Sequence, residues 1–267
     1  MWEQSADIEW IEPYEGFAYK AQTAVVASAE QTRALDVCGI DPAVFGGAVD
    51  PSFFIGIAIH AGVESGISSD GSVNMVQSLV QHGPLDLDRE IAISGKVVGV
   101  EEVPRGKAVT SEVHFAGTDG KTAITAKRRS LRPDPAKTGA RGAGDRPAPV
   151  VEDVAQLRKL DDVEMTPDRV TGYRSTGNRI HFDPDAAKAA GFRAPIIGGG
   201  MGVHYLAAAI WREFNPQFLD LDIYFRRPVF WDDRLSVMVD DRSGTWTAIC
   251  LAKDGKVATE ARINGIG

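Results

Sequence analysis

The chain has 267 residues, 43% hydrophobic and 25% charged, with a formal net charge of −8 and two cysteines, Cys38 and Cys250. That composition fits one large or two ordinary soluble domains and excludes a disulfide framework or a cysteine-based zinc cluster. An acidic chain whose basic clusters are only Lys127-Arg128-Arg129 and Arg226-Arg227 has no electrostatic reason to hold nucleic acid or an anionic membrane.

The start, MWEQSADIEW, lacks the basic-then-apolar build of a signal peptide. No apolar run approaches the roughly 18 residues of a membrane span. A cytoplasmic setting is therefore expected.

In chain order, a polar segment leads to DPAVFGGAVDPSFFIGIAIHAG from Asp41, a Gly-rich approach to an apolar helix predicted over about residues 52–63. From Gln77, QSLVQHGPLDLDREIAISGKV reads as strand, proline-centred break, acidic turn and strand. From Val113, VHFAGTDGKTAITAKR reads as a hairpin turning at Asp119-Gly120-Lys121. Residues 132–150, RPDPAKTGARGAGDRPAPV, hold four prolines and three glycines and too little apolar surface to offset ordering entropy; they read as a linker.

The second half repeats this plan. DPDAAKAAGFRAPIIGGGMGVHY starts at Asp183, and its helix is predicted over about residues 200–214, with Leu206, Ala207, Ile210, Trp211 and Phe214 at helical spacing. LDIYFRRPVFWDDRLSVMVDD starts at Leu221, and AICLAKDGKVATEARI, turning at Asp254, starts at Ala248. The three offsets between the halves are 142, 144 and 135 residues. Three matches in one order indicate a duplicated α+β domain. One helix wrapped by one antiparallel sheet is the hot-dog plan, so the chain reads as a double hot-dog. Its expected parts are a first unit at 1–131, a linker at 132–150 and a second unit at 151–267.

The window most suited to chemistry is Tyr173 to Tyr205. His181 follows a Thr-Gly-Asn turn and precedes a helix start at Asp183-Pro184. Gly198-Gly199-Gly200 then lead into the long helix, where bare backbone N–H groups and the helix dipole favour an incoming oxyanion. A base beside an N–H pocket suits a reaction through an enolate. The plain alternative is a capping histidine and a tight glycine turn.

This window resembles the signature of the MaoC-like dehydratases, the R-specific enoyl-CoA hydratase family: S/T-G-D-x-N-P-I-H-x-D, then G-F-x-x-P-I, then H-G-M opening the hot-dog helix. Asn178, Ile180, His181, Asp183, Gly191-Phe192, Pro195-Ile196 and Gly200-Met201 carry the likeness, and FRRPVFWDDRLSV from Phe225 resembles the family's F-x-x-P-V-x-x-G-D-x-L. The first half fits only the fold plan, as in double hot-dog hydratases whose other half shapes the acyl tunnel.

The resemblance implies syn addition of water to a trans-2-enoyl-CoA, or its reversal, without a cofactor or metal. It implies His181 as general acid/base, Asn178 as an orienting residue, and Gly199 or Gly200 as the oxyanion donor. Gly198, Met201 and His204 are candidates to line the substrate site, His204 being otherwise a core-edge residue, and Arg226 and Arg227 are read either as partners for CoA phosphates or as a solvated strand end. The expected partner is an acyl-CoA thioester, with assembly into a homo-oligomer of double hot-dogs left open.

Three positions depart from the family. The catalytic Asp, five before the His, is Thr176; the Pro before Ile-His is Arg179; the His of H-G-M is Gly199. Asn-Arg-Ile-His-Phe-Asp is similar to the H-R-I-H-Y-D variant of mesaconyl- and itaconyl-type CoA hydratases, which suggests Arg179 as a partner for a substrate carboxylate or, alternatively, a surface ion pair. If the enzyme is active, Asp183, Asp185, Asp232, Asp233 or Glu64 should supply the absent carboxylate, or else Thr176 acts as a catalytic residue by positioning the water through a hydrogen bond while His181 carries the proton alone at reduced rate. His60 stands where His204 does in the other half; His82, His114 and the tryptophans 211, 231 and 246 read as structural. The rival readings are an inactive acyl-CoA-binding hot-dog and a thioesterase, the latter requiring a helix acid where only Glu213 is present.

Overall fold

The structure, a computed structural model, describes residues 8–137, 147–173 and 178–267; Thr176 lies outside the described residues. The first half contributes strand β1 (Gln22–Val25), helix α1 (Ser28–Cys38), helix α2 (Phe53–Glu64) and strands β2 (Val73–Gln81), β3 (Glu90–Val103), β4 (Gly106–Ala116) and β5 (Thr122–Pro133). The second contributes β6 (Arg158–Glu164), α3 (Pro167–Tyr173), α4 (Pro184–Ala189), α5 (Gly199–Phe214), β7 (Leu219–Phe225), β8 (Arg234–Asp240), β9 (Ala248–Lys253) and β10 (Lys256–Ile266).

These strands form one antiparallel sheet in the order β1-β3-β4-β5-β2-β7-β10-β9-β8-β6. The order is the same in each half, read outward from a central seam where β2 pairs β7 from Val76↔Tyr224 to Gln81↔Leu219. The chain is a double hot-dog, and its expected duplication appears as this mirrored strand order.

Each long helix is buried because each is apolar on nearly every side. In α5 every residue from Met201 to Trp211 is buried, and the run Ala207-Ala208-Ala209 lets the sheet approach closely. Asn215, in the left-handed region at φ 43°, ends the helix by donating its N–H to the Trp211 carbonyl. Helix α2 packs in a separate core with Val49, Leu79, Ile91, Phe115 and Ile124. The α5 core, in contrast, crosses between halves: Leu35, Cys38 and Ile40 of the first half pack with Leu206, Ile210 and Trp211.

The polar segments that open each half hold more order than their composition implies. They carry β1 and β6, the two outer strands of the sheet. β6, RKLDDVE, is mostly exposed; charge on an outer strand keeps its open edge from pairing with another chain. β5 runs on to Pro133, two residues into the stretch read as a linker, because Arg132 and Pro133 pair with Lys107 and Gly106.

Candidate active site

The site is built around the first turn of α5. Gly198 is extended, at φ −67° and ψ 145°, and the helix begins at Gly199. The opening N–H groups of an α-helix have no carbonyl partner within it, so those of Gly199 and Gly200 are available to an acceptor. Close packing demands glycine at 199: a Cβ there would stand 2.9 Å from the Phe225 ring.

His181 reaches this turn from a single turn of 3-10 helix, Arg179–His181, whose cap is Asn178: its Oδ1 accepts from the Ile180 N–H at 3.3 Å. A carbonyl can only accept, so the 2.8 Å contact between His181 Nδ1 and the Ile196 oxygen puts the ring hydrogen on Nδ1. The opposite edge, Cε1 and Nε2, lies 4.0 Å from where a Gly198 Cβ would be. The strap carrying Ile196 is itself held: Ile196 N–H donates to the Ile180 carbonyl, Ile197 N–H to Val229 and Trp231 N–H to Pro195. His181 and Gly198, 17 residues apart in sequence, thus lie close together at the entry to α5.

His204 lies one turn further into α5 and is buried. Its Nδ1 is 2.6 Å from Asp50 Oδ2 and 2.6 Å from Ser52 Oγ, and its Nε2 is 2.8 Å from the Tyr173 hydroxyl. Tyr173, at the end of α3, returns to the glycine turn: its hydroxyl is 3.7 Å from where a Gly200 Cβ would be. His181 and Tyr173 therefore approach one helix start. Asp50, Ser52 and Tyr173 escaped the sequence reading. The available signal was Asp50-Pro51-Ser52, a carboxylate immediately before a helix whose first seven residues are all apolar.

Other expected residues have different surroundings. Arg179 is exposed and ion-paired to Asp183 four residues on, the surface-pair alternative. Met201 is fully buried in the α5 core. The Arg226 guanidinium grips Glu260 at 2.6 Å and the carbonyls of Pro147 and Ala148 at 2.9 and 2.8 Å. Arg227 donates to the Val257 carbonyl.

Three of the nominated carboxylates, Asp183, Asp232 and Asp233, are engaged too. Asp183 caps α4, accepting from Asp185 and Ala186 N–H, and these bonds together with Arg179 hold its carboxyl below the usual range. Asp232 is clamped by Arg193 at 2.7 and 2.8 Å, which lowers it likewise. Asp233 meets Arg193, Lys253 Nζ and the Phe230 N–H. Asp185 opens α4. Glu64 is 3.5 Å from His60, whose ring burial pushes below its ordinary value. Glu213 is exposed on the last turn of α5.

His82 and His114 sit near Thr125, and Trp211 and Trp246 are core residues. Burial pushes the Cys38 and Cys250 thiols up to about 12, so neither offers a thiolate near neutrality. Among the described residues no group of three or more His, Cys, Asp or Glu could hold a metal ion, and no helix is long and apolar enough to cross a membrane.

Comparison with known proteins agrees with the motif. Residues 151–260 match the MaoC-like domain, so the second half carries a domain of that family. The whole chain is similar to the crystal structure of HtdX from Mycobacterium tuberculosis, at 18% identity and a TM-score of 0.72 over 91% of this chain and 98% of that one. It is also similar to peroxisomal multifunctional enzyme type 2 from Drosophila melanogaster, at 20% identity and 0.68 over 92% of this chain and 48% of that one. A third similar structure is a conserved hypothetical protein of Mycobacterium tuberculosis described as having a double hotdog fold, at 13% identity and 0.60 over 94% and 95% of the two chains. These likenesses establish the fold. A search of curated proteins finds no match.

Proposed function

We propose that the chain is a hydratase/dehydratase that interconverts a 2-enoyl-CoA and a 3-hydroxyacyl-CoA. The observation that carries this reading is the approach of the His181 ring edge to Gly198, the residue immediately before the opening N–H groups of Gly199 and Gly200 at the start of a buried hot-dog helix.

With its hydrogen on Nδ1, His181 presents Nε2 as a lone pair. In hydration Nε2 takes a proton from water, and the hydroxyl adds to Cβ. The electron pair of the double bond moves through Cα onto the thioester oxygen, which the glycine N–H groups and the positive end of α5 stabilise. A proton then joins Cα. Dehydration is the reverse. The match of residues 151–260 to the MaoC-like domain supports this chemistry over thioester hydrolysis, as does the absence of any acid on α5 before Glu213.

The test is turnover of a panel of trans-2-enoyl-CoAs, with and without a distal carboxylate, followed by loss of the enoyl thioester chromophore. His181→Ala should lower kcat by about 100-fold or more, the usual loss for a general acid/base, with the circular dichroism of the native fold retained. An unchanged rate would return His181 to a structural role. Tight binding of saturated acyl-CoA without turnover of any substrate would instead make the chain an acyl-CoA-binding protein.

A further inference from the structure

The chemistry above leaves a buried polar group of residues at the seam unused. Asp50, Ser52 and His204 are each at most 2% exposed, at the seam between the halves. A carboxylate persists in such a place only when donors surround it. Ser52 N–H donates to Asp50 Oδ1 at 2.8 Å, and His204 Nδ1 lies 2.6 Å from Oδ2. The Asp50 N–H is fixed in turn by Gln31 Oε1 at 2.7 Å.

A carboxylate only accepts, so Nδ1 of His204 carries a hydrogen and Nε2 faces the Tyr173 hydroxyl at 2.8 Å. Tyr173 is half-buried, and its oxygen comes to the turn at Gly200. The chain of contacts therefore runs from a dry carboxylate of the first half, through an imidazole, to a hydroxyl at the open end of α5. Apolar side chains would fill that volume without the cost of burying charge, so a role for the polar series beyond packing is indicated.

The geometry points to Tyr173 as the second proton-transferring catalytic residue of the site, with His204 and Asp50 as the positioning residues that store and return its proton. This rests on the hydratase reading. A thioester oxygen held at the glycine N–H groups puts Cα one bond from the carbonyl carbon, beside the Gly200 turn that Tyr173 approaches.

In dehydration the Cα–H bond breaks and its proton goes to the Tyr173 oxygen as the phenol proton passes to His204 Nε2. The imidazolium so formed is held by Asp50. The electron pair from Cα makes the double bond, and the Cβ hydroxyl leaves as water with the proton from Nε2 of His181, which enters this direction as the imidazolium. In hydration His204 starts as the imidazolium and His181 neutral: Tyr173 gives its proton to Cα and recovers one from His204 Nε2, while His181 keeps the proton taken from water, and solvent carries that proton back to His204 between turnovers. The carboxylate missing at position 176 is thus supplied by the first half, through two side chains. The same arrangement explains why Asp232 and Asp233 can remain tied to Arg193 and Lys253.

The deciding experiment compares wild type, Tyr173→Phe, Asp50→Asn, the double variant and His181→Ala on crotonyl-CoA and on the panel substrate that wild type turns over fastest. Butyryl-CoA binding and thermal unfolding are measured alongside. Tyr173→Phe keeps the ring and removes one oxygen. It should lower kcat by about 100-fold, with KM and butyryl-CoA affinity within about threefold and an unchanged melting temperature. Asp50→Asn should lower kcat about tenfold in the wild-type background and produce no further loss on top of Tyr173→Phe, because it acts through that hydroxyl.

If Tyr173→Phe keeps kcat within about threefold of wild type while His181→Ala loses it, the proposal fails and the hydratase reading stands. Additive losses in the double variant would also overturn it. Wild type inactive on every substrate would remove the hydratase reading and this proposal with it. Should Asp50→Asn fail to fold, Tyr173→Phe alone decides.

Discussion

At the residue scale, two adjacent glycines in the same turn face different surroundings. A Cβ on Gly199 meets the Phe225 ring at 2.9 and 3.1 Å, on an aromatic fixed at the end of β7, whereas a Cβ on Gly200 meets nothing nearer than the Tyr173 hydroxyl at 3.7 Å. Overpacking of the first kind costs about 1–3 kcal/mol, since ring and helix start must separate. Gly199→Ala should therefore lower stability by that amount in urea unfolding and also lower kcat, because the shift moves the N–H donors. Gly200→Ala should leave stability within about 0.5 kcal/mol of wild type, alanine being the better helix former. Equal losses from both would contradict the packing argument. The motif placed a glycine donor at one of these two positions, and only three-dimensional packing distinguishes them.

At the element scale, the hairpin between β9 and β10 shows how local chemistry fixes a turn. Asp254 and Gly255 form a two-residue connection with φ of 50° and 69°, the paired left-handed conformation that matches strand twist. A side chain with Cβ is strained there, so Gly255→Ala should cost about 1 kcal/mol, read as a lower denaturation midpoint with an unchanged slope. A larger loss with a changed slope would mean that the strand register had slipped. Such turns, the two apolar helices and the strands on either side of Pro84 and Pro228 were legible because their signals are local, although the strands flanking each proline pair with other strands and not with each other. β1 and β6 were not: an outer strand is paired on one side only, and β6 carries charge rather than alternation. His181 with the glycines was legible as a motif within one window. His204 was a candidate in that window too, but its partners Tyr173 and Asp50 were not legible, since Asp50 and His204 are 154 residues apart and meet only because α2 and α5 begin side by side at the seam.

At the scale of the molecule, the two hot-dogs are joined at several independent places. β2 pairs β7, α1 packs on α5, and Asp50 holds His204. The chain entering the second half is also fastened, by Glu260. This fully buried residue of β10 accepts from the Val150 and Val151 N–H groups at 3.1 and 2.9 Å and from Arg226 at 2.6 Å, while Arg226 holds the Pro147 and Ala148 carbonyls. Removing one partner of such a pair leaves a desolvated charge, at a cost of about 3–5 kcal/mol. Glu260→Ala should therefore lower the urea midpoint strongly. Because the α5 core contains residues of both halves, the loss should fall on the entire molecule. Tryptophan fluorescence, whose change on unfolding comes mainly from the buried Trp211 and Trp246 of the second half because Trp10 of the first half is already 49% exposed, should follow the same curve as far-UV circular dichroism, which reports both halves, in wild type and variant alike. Separate transitions, with only the fluorescence curve displaced by the substitution, would mean that the halves fold independently and that the shared core contributes little to their union. A single displaced curve would mean that the half carrying His181 exists in its folded form only together with the half that supplies Asp50.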